Sequence, residues 1–342
     1  MAFWLDIAAF ALKALIIVAA VGGLAIVIAR LARSGEVKDP EIKVRSLNER
    51  YDEMRDAMNA ELLDKKERKG LAKARKREAK AEAKARRDQE PGKRIYVLAF
   101  KGDMRASAVK RLGAEIDAVL TVARPGTDEA MIRIESPGGT VTGYGLAAAE
   151  ILRLRERKIM VTASVDQVAA SGGYMMACAA DRIVAAPFAV VGSIGVVAPV
   201  PNLHRLLKSN EIDYEEMTAG EFKRTVSVLG EITPQGREHF RGKLDATHEA
   251  FKAHVKQCRP SVDVAEVANG DHWLGREALA LRLVDEIATG DELLFRARES
   301  ARLYEVTVEA RKNLLQQLLS GLGVAAQSAA DFVAARLSAG RL

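Results

Sequence analysis

The sequence predicts an α/β domain built on a largely parallel, covered sheet, set behind an apolar N-terminal segment and a charged arm. Three observations carry this fold class. Beyond residue 94, short β-branched apolar runs alternate with amphipathic helical stretches, the pattern of βαβ units. Two of the runs lead into glycine turns, Ser136-Pro137-Gly138-Gly139 and Ser171-Gly172-Gly173, at the end of a strand where α/β proteins place ligands. The apolar fraction of 49% over 342 residues is ample for a large core.

The first element, residues 1–30, reads as a membrane anchor. Residues 14–29 carry no charge, and residues 7–12 extend the run upstream of Lys13 to about 23 residues. That length crosses a hydrocarbon core of ~30 Å at 1.5 Å per residue. Lys13 sits near one end, where its stem can snorkel, and Phe3 and Trp4 suit the interface. No basic residue precedes Lys13, and Arg30 and Arg33 follow the run, so the pattern favours an uncleaved anchor over a cleaved signal peptide. Residues 5–30 are thus expected to contact lipid.

Residues 31–92 form the second element, a charged arm. From Arg30 to Arg94 there are 21 Lys and Arg against 14 Asp and Glu, so the chain's net charge of +6 belongs to this segment and the remainder is close to neutral. Leu47, Tyr51, Met54, Met58 and Leu62 recur at helical spacing. The expected form is a mostly helical, solvated stalk laced by i,i+4 pairs, with anionic lipid headgroups as a compatible partner. No aromatic residue interleaves the basic run, which argues against nucleic acid. The basic excess after the span favours a cytoplasmic C-terminal side, by a rule that long domains escape.

Residues 93–312 are the predicted α/β domain. Strands are expected at 95–100, 131–134, 159–165 and 182–185, and helices at 108–122, 145–157, 234–258 and 275–283. The tail, residues 313–342, is rich in Ala and Leu but too polar for a second span, and reads as an amphipathic helix. Cys178 and Cys258 make no disulfide framework.

The glycine turns carry the candidate chemistry. Gly138 and Gly139 let backbone N–H groups approach a substrate oxygen, the requirement of an oxyanion hole, although an ordinary strand-to-helix turn looks the same. Ser171, in Val168-Ala169-Ala170-Ser171-Gly172-Gly173-Tyr174, is either a nucleophile with the Gly172 N–H beside it or an N-cap serine. None of the five histidines, His204, His239, His248, His254 and His272, sits in a triad setting. Lys223, in Gly220-Glu221-Phe222-Lys223-Arg224, is a candidate base, since burial and a neighbouring cation favour a neutral amine. Ser193, in Gly192-Ser193-Ile194-Gly195, could orient that lysine. A solvated lysine and a turn serine are the plain alternatives.

In this order, these motifs resemble the signal peptide peptidase A family of membrane serine peptidases, and by layout its SohB branch. Trp273-Leu274-Gly275-Arg276-Glu277-Ala278 and Leu283-Val284-Asp285 add to the match. The resemblance implies a ClpP/crotonase-like fold with Ser171 as nucleophile, Lys223 as general base and Ser193 orienting the lysine. Oxyanion donors would come from Gly138 or Gly139 and from Gly172. It implies a membrane-anchored endopeptidase that cleaves signal-peptide remnants or other small or unfolded peptides through an acyl-enzyme, with no metal or cofactor. It further implies homo-oligomers whose active sites are shared between subunits. The place would be a bacterial inner membrane, single-pass, with the catalytic domain periplasmic. Arg224 and Thr225-Val226-Ser227-Val228 depart from the Pro-Phe that relatives often carry after the lysine. Two alternatives stand beside this reading: a non-catalytic anchored scaffold, and a crotonase-like acyl-CoA enzyme using the same glycine donors.

Overall fold

The computed structural model describes residues 41–71, 73, 74, 77 and 92–309. The expected anchor, the tail and most of the second half of the arm lie outside the described residues. Among the described residues no helix is long and apolar enough to cross a membrane.

Two sheets organise the domain. The larger has seven strands in the order β1-β10-β2-β3-β4-β6-β9, where β1 is Glu41–Ser46, β2 Arg94–Lys101, β3 Glu129–Glu135, β4 Met160–Val165, β6 Arg182–Ala185, β9 Glu286–Ile287 and β10 Arg302–Glu309. From β10 across to β9 every neighbouring pair is parallel. The central strands are buried almost throughout, as parallel strands covered on both faces must be. Helix α2 (Val109–Leu120) buries Leu112, Ile116 and Val119, and α3 (Val141–Glu156) buries Tyr144, Ala147, Ala148, Ile151 and Leu154. That spacing of three and four residues makes one apolar face on each helix.

The smaller sheet has three strands: β5 (Val168–Ala170), parallel to β7 (Val190–Gly192), which pairs antiparallel with β8 (His272–Leu274). An isolated parallel bridge, Ser136 to Ala169, stitches it to the chain leaving β3. The Ser136 N–H donates to the Val168 carbonyl at 2.8 Å, and the Ala170 N–H donates to the Ser136 carbonyl at 3.0 Å. This stitch brings the two glycine turns side by side.

The arm differs from the solvated helix expected of it. It starts as an edge strand, β1, and only then becomes helix α1 (Leu47–Leu62), capped by the Ser46 hydroxyl accepting from the Glu49 N–H. The reason lies in the apolar face read from the sequence, half of which has a partner. Leu47 and Tyr51 pack with Leu293, Leu294, Ala301 and Leu303, and Tyr51 meets Phe295 edge-on at 5.9 Å. The Asn48 amide donates to the Arg298 and Ala301 carbonyls and accepts from the Leu303 N–H. Met54, Met58 and Leu62 remain exposed. Residues Ile42–Val308 therefore form one compact unit that includes this helix.

Candidate active site

Ser171 stands between β5 and a short helix, α4 (Gly172–Ala177), with φ 51° and ψ −117°. A positive φ is unfavourable for a residue with a Cβ and stores roughly 1–3 kcal/mol, a strain that clusters at functional sites. Two backbone bonds hold the turn: the Ser171 N–H donates to the Gly192 carbonyl at 2.7 Å, and the Met175 N–H donates to the Ser171 carbonyl at 2.9 Å. Neither bond uses the side chain. Among the described residues nothing hydrogen-bonds the Ser171 hydroxyl. Ser171 thus stands on a sharp strand-to-helix turn with its hydroxyl unengaged, and it does not cap the helix with its side chain.

The glycines lie against it. A Cβ on Gly138 would come within 2.7 Å of the Ser171 Cβ and 2.8 Å of the Gly172 nitrogen, so only glycine allows this approach, and its φ of 92° also demands glycine. The Gly138 N–H, however, is engaged, donating to the Ser136 hydroxyl at 3.1 Å. Neither the Gly139 nor the Gly172 N–H has a protein acceptor among the described residues. Gly172 is packed on the buried Tyr144 ring, 2.6 Å from Cδ2 to where a Cβ would stand, and Gly139 abuts the Met104 backbone.

Beneath the turn runs a chain of hydroxyls that sequence reading did not single out. Tyr144 donates to the Asp103 carbonyl at 2.8 Å, and its oxygen lies 2.5 Å from the Ser136 hydroxyl. Because the Tyr144 proton goes to Asp103, the Ser136 proton goes to Tyr144, and the Ser136 oxygen is free to accept from Gly138. Burial pushes the Tyr144 phenol up from its ordinary pKa, so it remains a donor at neutral pH. The only signal in the sequence is a tyrosine one helical turn inside α3.

Ser193 comes into place through register. Ala170 of β5 pairs with Gly192 of β7, so Ser171 and Ser193 each stand one residue beyond a matched pair on adjacent strands. Ser193 also has a positive φ, 53°, and its N–H donates to the Asp271 carbonyl at 2.7 Å.

Lys223 makes no hydrogen bond to Ser171 or Ser193 among the described residues. It lies exposed between α5 (His204–Ser209) and α6 (Pro234–Cys258), and among the described residues its ammonium makes no hydrogen bond or ion pair. Its loop is tied to the start of α6: Phe222 stacks flat on His239 with ring centres 3.9 Å apart, and Gln235 donates to the Glu221 carboxylate. Arg224 pairs with Glu216 at 3.0 Å.

Four of the five histidines have these neighbours. His248 and His254 bond the Ile194 and Met175 carbonyls, His239 stacks on Phe222, and His272 is exposed beside Asp271. One group among the described residues has the donor set to hold a metal: Cys178, His254 and Cys258.

Residues 2–151 match the family described as Peptidase family S49 N-terminal, and residues 153–304 match Peptidase family S49. "Probable protease SohB" of Haemophilus influenzae is 44% identical over 315 residues, covering 90% of this chain and 88% of that one. "Serine protease SPPA, chloroplastic" of Arabidopsis thaliana is 32% identical over 203 residues, 57% of this chain and 30% of that one. Among solved structures, a membrane-bound stomatin-specific protease with a substrate peptide bound aligns at a TM-score of 0.42 and 15% identity, over 68% of this chain and 99% of that one.

Proposed function

Because this chain belongs to peptidase family S49 and is a serine peptidase whose mixed α/β sheets are that family's fold, we propose that it hydrolyses peptide bonds with Ser171 as nucleophile and Lys223 as general base. The observation that carries the assignment is Ser171 itself, strained at positive φ, its hydroxyl unengaged, with Gly138 pressed against it. In the proposed reaction the neutral Lys223 amine takes the Ser171 proton as Oγ attacks the substrate carbonyl. The N–H groups of Gly172 and Gly139 receive the oxyanion, the Gly138 N–H being tied to Ser136. Collapse passes the proton to the leaving amine and leaves an acyl-enzyme, which water activated by Lys223 then hydrolyses.

The exposure of Lys223 favours a base supplied across an interface between copies, with Ser193 of the serine-bearing copy orienting it. Residues 1–30 would anchor the assembly in a bacterial inner membrane, and the substrates would be short or unfolded peptides such as signal-peptide remnants.

Ser171→Ala and Lys223→Ala should each abolish cleavage of an unfolded peptide without loss of fold. Co-expressing the two inactive variants separates the arrangements. Partial recovery of activity is expected when serine and lysine come from different copies, and a mixture as inactive as its parents would refute that sharing. Retained activity in purified Ser171→Ala would overturn the nucleophile itself.

A further inference from the structure

Away from the reacting serine, two helices meet at a cluster with no role in peptide hydrolysis. Cys178 is the fully buried residue that ends α4, while His254 and Cys258 lie four positions apart on the last turns of α6. An i,i+4 spacing places both on one face of that helix. One ligand atom from each of the three residues lies within 4.8 Å of the others. We propose that Cys178, His254 and Cys258 form a binding site for a soft divalent metal ion of the zinc class.

Three features of the geometry support this. Zinc–sulfur bonds of ~2.3 Å and zinc–nitrogen bonds of ~2.0–2.1 Å in a tetrahedron put neighbouring ligand atoms about 3.5–3.8 Å apart. The Cys258 sulfur already stands 3.9 Å from the His254 Nδ1, so small side-chain rotations suffice. Next, the His254 Nε2 lies 3.0 Å from the Met175 carbonyl, which can only accept, so this nitrogen carries the proton and Nδ1 keeps its lone pair. A ring nitrogen fixed by a backbone carbonyl is the usual outer support of a zinc-bound histidine. Finally, two thiolates neutralise a divalent ion, and the adjacent Arg259 is already paired with Asp285 at 2.7 Å, so no net charge is buried.

Three protein ligands leave one tetrahedral position for solvent. Cys258 and His254 are only partly buried, which gives an ion a way in, and both cysteines are free thiols. The consequence is mechanical. Helix α4 begins at Gly172, beside the strained serine, while α6 holds the Lys223 loop at its other end through His239 and Gln235. An ion here would clamp the nucleophile's helix to the helix that carries the base's loop.

The test uses the full-length chain in mild detergent, kept reduced and stripped of metal with a chelator, then titrated with cobalt(II) and next with zinc. One cobalt per chain should bind, with thiolate-to-cobalt charge-transfer absorption and the visible bands of tetrahedral cobalt, and one equivalent of zinc should bleach both. Cys258→Ala and His254→Gln should weaken binding at least about a hundredfold, more than loss of an outer-shell partner does. Glutamine can still donate to the Met175 carbonyl, so His254→Gln should keep its fold, as circular dichroism would verify. Zinc should raise the unfolding temperature of the parent and not of these variants. Absence of the thiolate band, a band unchanged in Cys258→Ala, or recovery of a Cys178–Cys258 disulfide from protein prepared with zinc would each overturn the site.

Discussion

Replacing Tyr144 by Phe removes one oxygen atom and leaves the ring that Gly172 packs against. The lost phenol had donated to the Asp103 carbonyl at 2.8 Å and accepted from the Ser136 hydroxyl at 2.5 Å. The Asp103 carbonyl keeps a second donor, the Ala106 N–H at 3.0 Å. The Ser136 hydroxyl does not: Ser136 is fully buried, and its proton is left without an acceptor. An orphaned buried donor costs about 1–3 kcal/mol. Taking ~2 kcal/mol, and roughly 2–4 °C per kcal/mol for a domain of this size, the unfolding temperature should fall by about 4–8 °C. Activity should fall further than stability explains. The Ser136 oxygen anchors the Gly138 N–H, so a rotated hydroxyl loosens the turn beside Ser171, and loss of one oxyanion donor is worth roughly 10²–10³ in kcat. Partial misplacement should therefore lower kcat by about tenfold to a hundredfold with KM little changed. Thermal unfolding, paired with hydrolysis of an unfolded peptide, reads both effects. A double-mutant cycle with Ser136→Ala should show coupling, because the two residues share one hydrogen bond. Additive effects, or Tyr144→Phe with unchanged kcat and unfolding temperature, would refute the reasoning.

Two further expectations rest on other parts of the fold. Ser171→Gly should be inactive yet more stable than Ser171→Ala by roughly 1 kcal/mol, because glycine adopts the positive φ without strain; equal unfolding temperatures for the two variants would show that the turn stores none. Asp128, with its side chain fully buried at the amino ends of the sheet strands, accepts from Arg94 and Arg124 at 2.6–2.9 Å. Burial alone pushes its carboxyl up, but the two guanidiniums outweigh that and hold it far below the usual carboxylate range. A depressed native pKa contributes stability above the unfolded value of about 3.9, lost as pH falls toward the native value. Asp128→Asn should accordingly cost about 3 kcal/mol at neutral pH, and the gap should narrow in acid. A gap that is constant from pH 7 to strongly acidic conditions, measured by denaturant unfolding, would contradict this.

Four strands of the larger sheet, β2, β3, β4 and β6, were legible because they are apolar runs separated by helices with one apolar face. Residues 182–185 and 234–258 were expected as a strand and a helix, and they appear with those bounds. What periodicity missed were strands of two or three residues, β5, β7, β8 and β9, too short to show a period and held by pairing with distant segments, and the eight-residue β10, whose apolar residues are interrupted by charged and polar ones. Edge strand β1 was hidden inside a charged, helix-favouring stretch, where docking of Leu47 and Asn48 overrides local propensity. At the site, Ser171 and the glycines were visible as motifs, but the engagement of the Gly138 N–H depends on Ser136 and Tyr144 meeting across an intervening turn. The sequence likewise holds no pattern joining Cys178 to His254 and Cys258, because one member comes from α4 and two from a helix much later in the chain. Lys223 shows the converse: its motif was plain, yet its ammonium has no hydrogen-bond or ion-pair partner among the described residues.

The most direct test of the account is covalent labelling of the full-length protein with a fluorophosphonate, followed by peptide mapping. The expected result is a single modified residue, Ser171, with labelling lost in Lys223→Ala and restored when Lys223→Ala is co-assembled with Ser171→Ala copies. Modification of Ser136, Ser193 or any other serine in place of Ser171, or labelling of Ser171 at the parent rate in Lys223→Ala, would contradict it.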